Sequence, residues 1–222
     1  MTFLKWTMTV IFLCFAVLGL PAYAETEAEE MPAHVAQFSG PQLLEELKKG
    51  GYTVYFRHAK TDRKQVDTEN SDLEYCETQR NLSDDGRKQA AAIGKALKEA
   101  GIPVGNVSSS PYCRCKDTAS LALGNGYEVL DDLQFAINAP PEKRKQREET
   151  LKNLLGSAPE DGTNNFMVSH TGNLKEAMKI WPKPEGVMVV FKPQGDSHAE
   201  YMGMIKPDEW PGMEAGNNAD EE

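Results

Sequence analysis

Short apolar runs alternate along this chain with helical segments, and that alternation limits the fold more than any other feature of the sequence. "YTVYFR", "VGNVSSSP" and "NNFMVSH" each read as a strand, while "LSDDGRKQAAAIGKALKEAG", "YCRCKDTASLALG" and "TGNLKEAMKIW" read as helices between or after them. Several of the runs are continuously apolar, the pattern of strands covered on both faces. The expected class is α/β, a three-layer α/β/α domain with a mostly parallel central sheet. At 222 residues the chain holds one such domain with a proper core.

The clearest helix starts at Ser83, which can cap it, with Asp84 and Asp85 at the positive end of its dipole. Ala90, Ile93, Leu97 and Ala100 recur at helical spacing, and Gly101 can end it. "PQLLEELKKGG" is a short helix with proline in its first turn. "YEVLDDLQF" is a candidate strand, and "PEKRKQREETLKNLLG" a solvated charged helix. "GVMVVFKP" and "EYMGMI" are late strands that could form a hairpin or an edge pair. Between the first strand and the Ser83 helix, residues 60–81 show no apolar period, and loops that long in a compact domain carry function or move.

The first 24 residues have a lysine near the start, an apolar stretch too short to span a bilayer, then Pro21, Ala22 and Ala24. This layout predicts a signal peptide over residues 1–24, cleaved after Ala24, and hence a periplasmic or secreted protein with no stable membrane insertion after cleavage. Residues 25–40 read as a flexible lead-in and 213–222 as an acidic disordered tail. A formal charge of -10 argues against nucleic acid as a partner. Export permits a disulfide. Cys113 and Cys115, two apart on a helix, point to different sides, so the expected bridge joins Cys76 to Cys113 or Cys115. "CRC" lacks the spacing of a zinc site, and no metal is expected.

Three candidate strands run into polar chemistry at their carboxyl ends, where parallel sheets bind ligands. "VYFRH" brings Arg57 and His58, "NVSSSPYCR" brings Arg114, and "FMVSH" brings His170. An arginine fork matches the oxygens of a phosphate. A neutral histidine nitrogen can attack phosphorus if neighbouring cations neutralise the transferring group. On these residues alone, either His58 or His170 could be the nucleophile. His34 and His198 read as bystanders. No G-x-S-x-G elbow and no glycine-rich nucleotide loop is present.

Here the sequence resembles the histidine phosphatase superfamily, in the branch of the cofactor-dependent phosphoglycerate mutases. "FRHAKTD" is similar to its Arg-His-Gly motif, with Ala59 in the glycine position. "NLSDDGRKQAAAIGKAL", "VSSSPYCRCKDTA" and "VSHTGNL" resemble its later motifs, in the same order. The resemblance implies a phosphoglycerate-mutase-like catalytic domain over residues 41–212, with His58 as the phosphorylated nucleophile. It also implies that Arg57, Arg114 and His170 hold the phosphoryl group, with no metal and no cofactor.

Two departures stand out. Where many members place a proton-donating glutamate, this chain has "VLDDLQFAIN", with Gln134 and Phe135 at the expected place and only Asp131 and Asp132 near. Lys64 replaces an asparagine of the mutases. The expected function is therefore an exported, metal-independent phosphatase acting on a small phosphorylated substrate. The alternatives are a non-catalytic phosphate-binding envelope module on the same fold, and an anchored intracellular mutase or phosphohistidine phosphatase. Arg57, Lys60, Arg63, Lys64 and Arg80 are expected to draw an anionic substrate to the site.

Overall fold

In the computed structural model, whose described residues are 34–68, 73–137 and 139–211, the alternating pattern forms one six-stranded sheet. The segments expected as a signal peptide and an acidic tail lie outside the described residues. The strands are β1 (Thr53–Arg57), β2 (Val104–Ser109), β3 (Glu128–Val129), β4 (Asn164–Ser169), β5 (Met188–Gly195) and β6 (His198–Ile205), in the order β3-β2-β4-β1-β5-β6. β3, β2, β4 and β1 are mutually parallel; β5 runs antiparallel to β1 and forms a hairpin with β6. The mostly parallel sheet expected from the sequence is thus present, closed on one side by an antiparallel pair.

Among the described residues five helices cover it: α1 (Gly40–Leu47), α2 (Asp84–Glu99), α3 (Cys113–Leu123), α4 (Pro141–Gly156) and α5 (Thr171–Met178). Side chains alternate across a strand, so the central strands feed two cores. Val54 and Phe56 of β1 join Leu43, Leu47, Ile93, Leu97 and Ala119 of α1, α2 and α3 on one face. Tyr55 between them joins Leu151, Leu155 and Leu174 of α4 and α5 on the other. Every one of these side chains is at most 2% exposed, and burying each such Leu, Ile or Phe is worth roughly 1.5–3 kcal/mol. Among the described residues no helix is long and apolar enough to cross a membrane.

The structure departs from the sequence reading at three places. The strand expected in "YEVLDDLQF" is only Glu128–Val129; Asp131–Leu133 turns instead as 3-10 helix, because Leu133 drops fully into the second core. α5 stops at Met178 and not at Trp181, since Lys179 adopts a left-handed φ of 58° and Ile180 turns inward. The end of the expected lead-in lies along the sheet: the N-H groups of Gln37 and Phe38 both donate to the carbonyl of Met202 on β6.

Candidate active site

Parallel pairing sets the geometry of the site. β1 and β4 are neighbours with Arg57 opposite Ser169, so the next residues, His58 and His170, emerge side by side, ring centroids 5.5 Å apart. The His58 N-H donates to the Ser169 carbonyl, and the Ser110 N-H beyond β2 donates to Val168. α3 starts three residues later and places Arg114 in its first turn. The four residues singled out from the sequence therefore meet at one edge of the sheet, and all four line a single cleft of about 500 Å³.

The two histidines are held differently. His58 Nδ1 lies 3.0 Å from the Ala59 carbonyl, which can only accept, so Nδ1 carries the proton and Nε2 the lone pair. Among the described residues nothing hydrogen-bonds His58 Nε2. His170, by contrast, has its Nε2 engaged by the Ser110 hydroxyl at 2.9 Å, with the buried Cys115 thiol 3.6 Å away. Its carbonyl accepts from the Tyr55 hydroxyl, and the rings of Tyr112 and Phe135 meet its ring edge-on. Both imidazoles are buried, 3% and 1% exposed. Burial first, then the charges of Arg114 and Arg57, holds His58 well below the ordinary value of 6.5; burial and Arg114, with His58 itself, do the same to His170. His58 is therefore neutral, with an unoccupied nucleophilic nitrogen. Burial pushes the Cys115 thiol up to about 12, which makes it a poor nucleophile.

Around these rings the cleft is cationic. Arg57, Arg63, Arg80, Arg114 and Lys183 line it, against one carboxylate among the described residues, Asp67. Arg57 donates to the Pro182 carbonyl and lies 3.6 Å from Glu185. Arg114, 2% exposed, donates from Nη1 to Asp67 and to the Arg80 carbonyl and lies over the Tyr112 ring. The Nε atoms of Arg114 and Arg80 are buried with no hydrogen-bond partner. Buried donors left unpaired in this way cost free energy that a bound anion would recover.

The described residues of the loop 60–81 form the outer wall, with Arg63, Val66, Asp67 and Arg80 lining it, and are fixed to α3. Cys76 is bonded to Cys113, the first residue of that helix, while the buried Gln79 side chain accepts from the Cys113 N-H. Of the two pairings open to Cys76, the chain uses Cys113, leaving Cys115 free beneath His170.

The model of the histidine phosphatase superfamily (branch 1) matches residues 54–136. No curated protein matches the chain in sequence. The protein histidine phosphatase SixA, solved with tungstate, superposes with a TM-score of 0.51 at 15% identity, over 70% of this chain and 97% of that one. The alpha-ribazole phosphatase from Shigella flexneri gives 0.52 at 15% identity, over 70% and 96%. At such identities the likeness is one of fold. The family model covers the His58 and Arg114 motifs, and the fold it is joined to is that of the solved histidine phosphatases.

The structure gives physical reasons for the sequence motifs around the cleft. Gly86 is small because a Cβ there would lie 1.8 Å from the Lys60 carbonyl oxygen, against which α2 packs. Ser83 caps that helix by accepting from the Gly86 N-H. Gln89 accepts from the Lys60 N-H and donates to the Glu185 carbonyl, tying together two loops around His58. Thr118 accepts from the Ala59 N-H and donates to the Arg114 carbonyl, linking the segment after His58 to the arginine helix. Asn173 bonds the backbone of Leu133, Gln134 and Ala136, which presses Phe135 against His170. A Cβ on Gly172 would meet the Ile137 side chain at 2.7 Å and the Phe135 ring at 3.2 Å, so glycine lets these side chains close over the start of α5.

Several expectations are corrected. Neither Asp131 nor Asp132 reaches the cleft; Asp132 bonds Gln146 and Thr150 of α4. Gln134 binds Arg147, and it is Phe135 that faces His170. Of the cations expected at the site, Lys60 and Lys64 do not line the cleft; their neighbours Arg57, Arg63 and Arg80 do. His34 and His198 bond backbone carbonyls away from it.

Sequence reasoning missed Glu185, Asp67 and Lys183. Glu185 is 4% exposed, accepts from both the N-H and the hydroxyl of Thr61, and lies 3.9 Å from His58 Nδ1. It sits behind the imidazole, on the side away from Nε2, and so positions rather than reacts. Its setting in "KPEGVM" reads as a bare turn and carries no signal.

Proposed function

We propose that this chain hydrolyses phosphate monoesters, through a phosphohistidine intermediate on His58 and without a metal ion. The observation that carries the reading is the state of His58: neutral, its Nδ1 hydrogen committed to Ala59, and its Nε2 unengaged in a cleft lined by guanidinium groups. Arg57, Arg114 and His170 are positioned to hold the phosphoryl oxygens, and the unpaired Nε donors of Arg114 and Arg80 suit a multiply charged anion. Nε2 attacks phosphorus, the ester oxygen leaves, and water then releases phosphate from the histidine.

Export remains part of the proposal. It is supported by the signal-like residues 1–24 and by the Cys76–Cys113 bond, which persists in oxidising compartments. The test is turnover of p-nitrophenyl phosphate by the mature protein after chelator treatment, beside His58→Ala. Vanadate-inhibited activity that is lost in the variant is expected. Phosphate or vanadate binding with no turnover would favour a non-catalytic binding module instead. N-terminal sequencing of the protein from its native host is expected to start at Glu25.

A further inference from the structure

Resting on the phosphatase reading, we infer that Asp67 is the proton donor to the leaving oxygen and, in the second step, the base that activates water. Asp67 is the one carboxylate among the described residues that lines the cleft. It arrives from the loop 60–81, far in sequence from the stretch where the glutamate was expected. Its Oδ1 accepts from Arg114 Nη1 and from the Arg80 N-H, each at 2.9 Å, which fixes the side chain over the phosphoryl clamp. Among the described residues Oδ2 has no hydrogen-bond partner. The side chain is one-third exposed, so solvent can resupply the proton.

The other acids near the site fail on geometry. Glu185 is committed at both oxygens to Thr61, behind the ring. Asp132 is bound to α4. His170 has its Nε2 engaged by Ser110.

When a phosphoryl group enters, its oxygens compete for Arg114 and free Asp67 to carry a proton from solvent to the leaving oxygen. His58 Nε2 then forms the N-P bond as the P-O bond to the leaving group breaks. The Asp67 proton passes to that oxygen, giving an alcohol and a carboxylate. Water attacks phosphorus next, and Asp67 removes one of its protons. The N-P electron pair returns to His58, phosphate departs, and Asp67 is protonated again.

The discriminating experiment is Asp67→Asn assayed on two esters that differ only in the quality of the leaving group, an alkyl phosphate and dinitrophenyl phosphate. Asparagine keeps the Oδ1 acceptor for Arg114 and Arg80 and removes only the proton. The expected loss in kcat is about 10²–10⁴-fold on the alkyl ester and only a few-fold on dinitrophenyl phosphate, whose leaving group needs no proton. Equal losses on the two esters would overturn the inference, and so would a gain on both, which would mark Asp67 as a competitor for Arg114. Wild-type protein inert to both esters would remove the phosphatase reading itself. Full activity on dinitrophenyl phosphate without the leaving-group split would remove only the role of Asp67.

Discussion

The floor of the cleft is made by strand ends, where pairing between β1, β4 and β2 sets the place of His58, His170 and Ser110. Its outer wall is made by a loop that, among the described residues, pairs with strand-like backbone only at the Thr61–Leu82 bridge and is held instead by a disulfide, Gln79 and an Asp67–Arg114 ion pair. The floor carries His58, the proposed nucleophile, with Arg57 and His170. The wall carries the carboxylate and Arg80. In the proposed mechanism the sheet edge would supply the covalent chemistry and the tethered loop the groups that meet the leaving group.

The largest expected effect separates the two histidines of the floor. His58→Ala abolishes turnover, whereas His170→Ala, which removes a clamp residue but leaves the nucleophile, lowers kcat by about 10²–10³-fold. A His58→Ala protein that retains more activity than His170→Ala would reverse their roles.

Next comes floor against wall among the arginines. Arg114→Ala is expected to lose about 10²–10³-fold in kcat, the cost of removing a buried donor to the transferring group. Arg80→Ala, from the wall, should lose about tenfold, roughly 1.4 kcal/mol. Equal losses would mean that the wall binds the phosphoryl group as tightly as the floor.

Cutting the tether tests whether the wall depends on it. Cys76→Ser opens a bond between residues 37 apart and should destabilise the fold by about 2–4 kcal/mol, read as a lower urea midpoint. The kcat for dinitrophenyl phosphate should fall less than that for an alkyl ester, since Asp67 is the group set loose. An unchanged midpoint would show that Gln79 and the ion pair suffice.

Acid stability bears on the floor alone. His58 and His170 have folded values depressed below 6.5. Between those values and 6.5 the unfolded chain binds protons that the folded chain does not. Their contribution is therefore full above pH 6.5 and is lost as pH falls below it, by about 1.4 kcal/mol per pH unit for each histidine. Urea midpoints from pH 7.5 to 5 should fall in wild type and fall less in His170→Asn. Parallel curves would show that His170 titrates normally.

The floor was legible in the sequence because each motif residue does a local job that only its type can do. Gly86 must lack a Cβ, Gln89 must both donate and accept, and Thr118 must bridge Ala59 to Arg114. The choice of His58 over His170 was not legible from spacing; it depends on which ring nitrogen the fold leaves open. Three residues around the cleft were hidden for another reason. Asp67, Glu185 and Lys183 stand in segments with no apolar period, so nothing in their order shows which way they face. The short β3 and the early end of α5 escaped similarly, because burial of Leu133 and Ile180 overrode local pattern.

The central claim is that His58 Nε2 forms a bond to phosphorus. Rapid quench of the mature protein with labelled dinitrophenyl phosphate, under conditions that preserve acid-labile phosphoryl groups, tests it directly by peptide mapping. One phosphoryl group on the peptide containing His58, absent in His58→Ala and retained in His170→Ala, is the predicted result. Turnover with no phosphopeptide, or label on His170, would contradict the account.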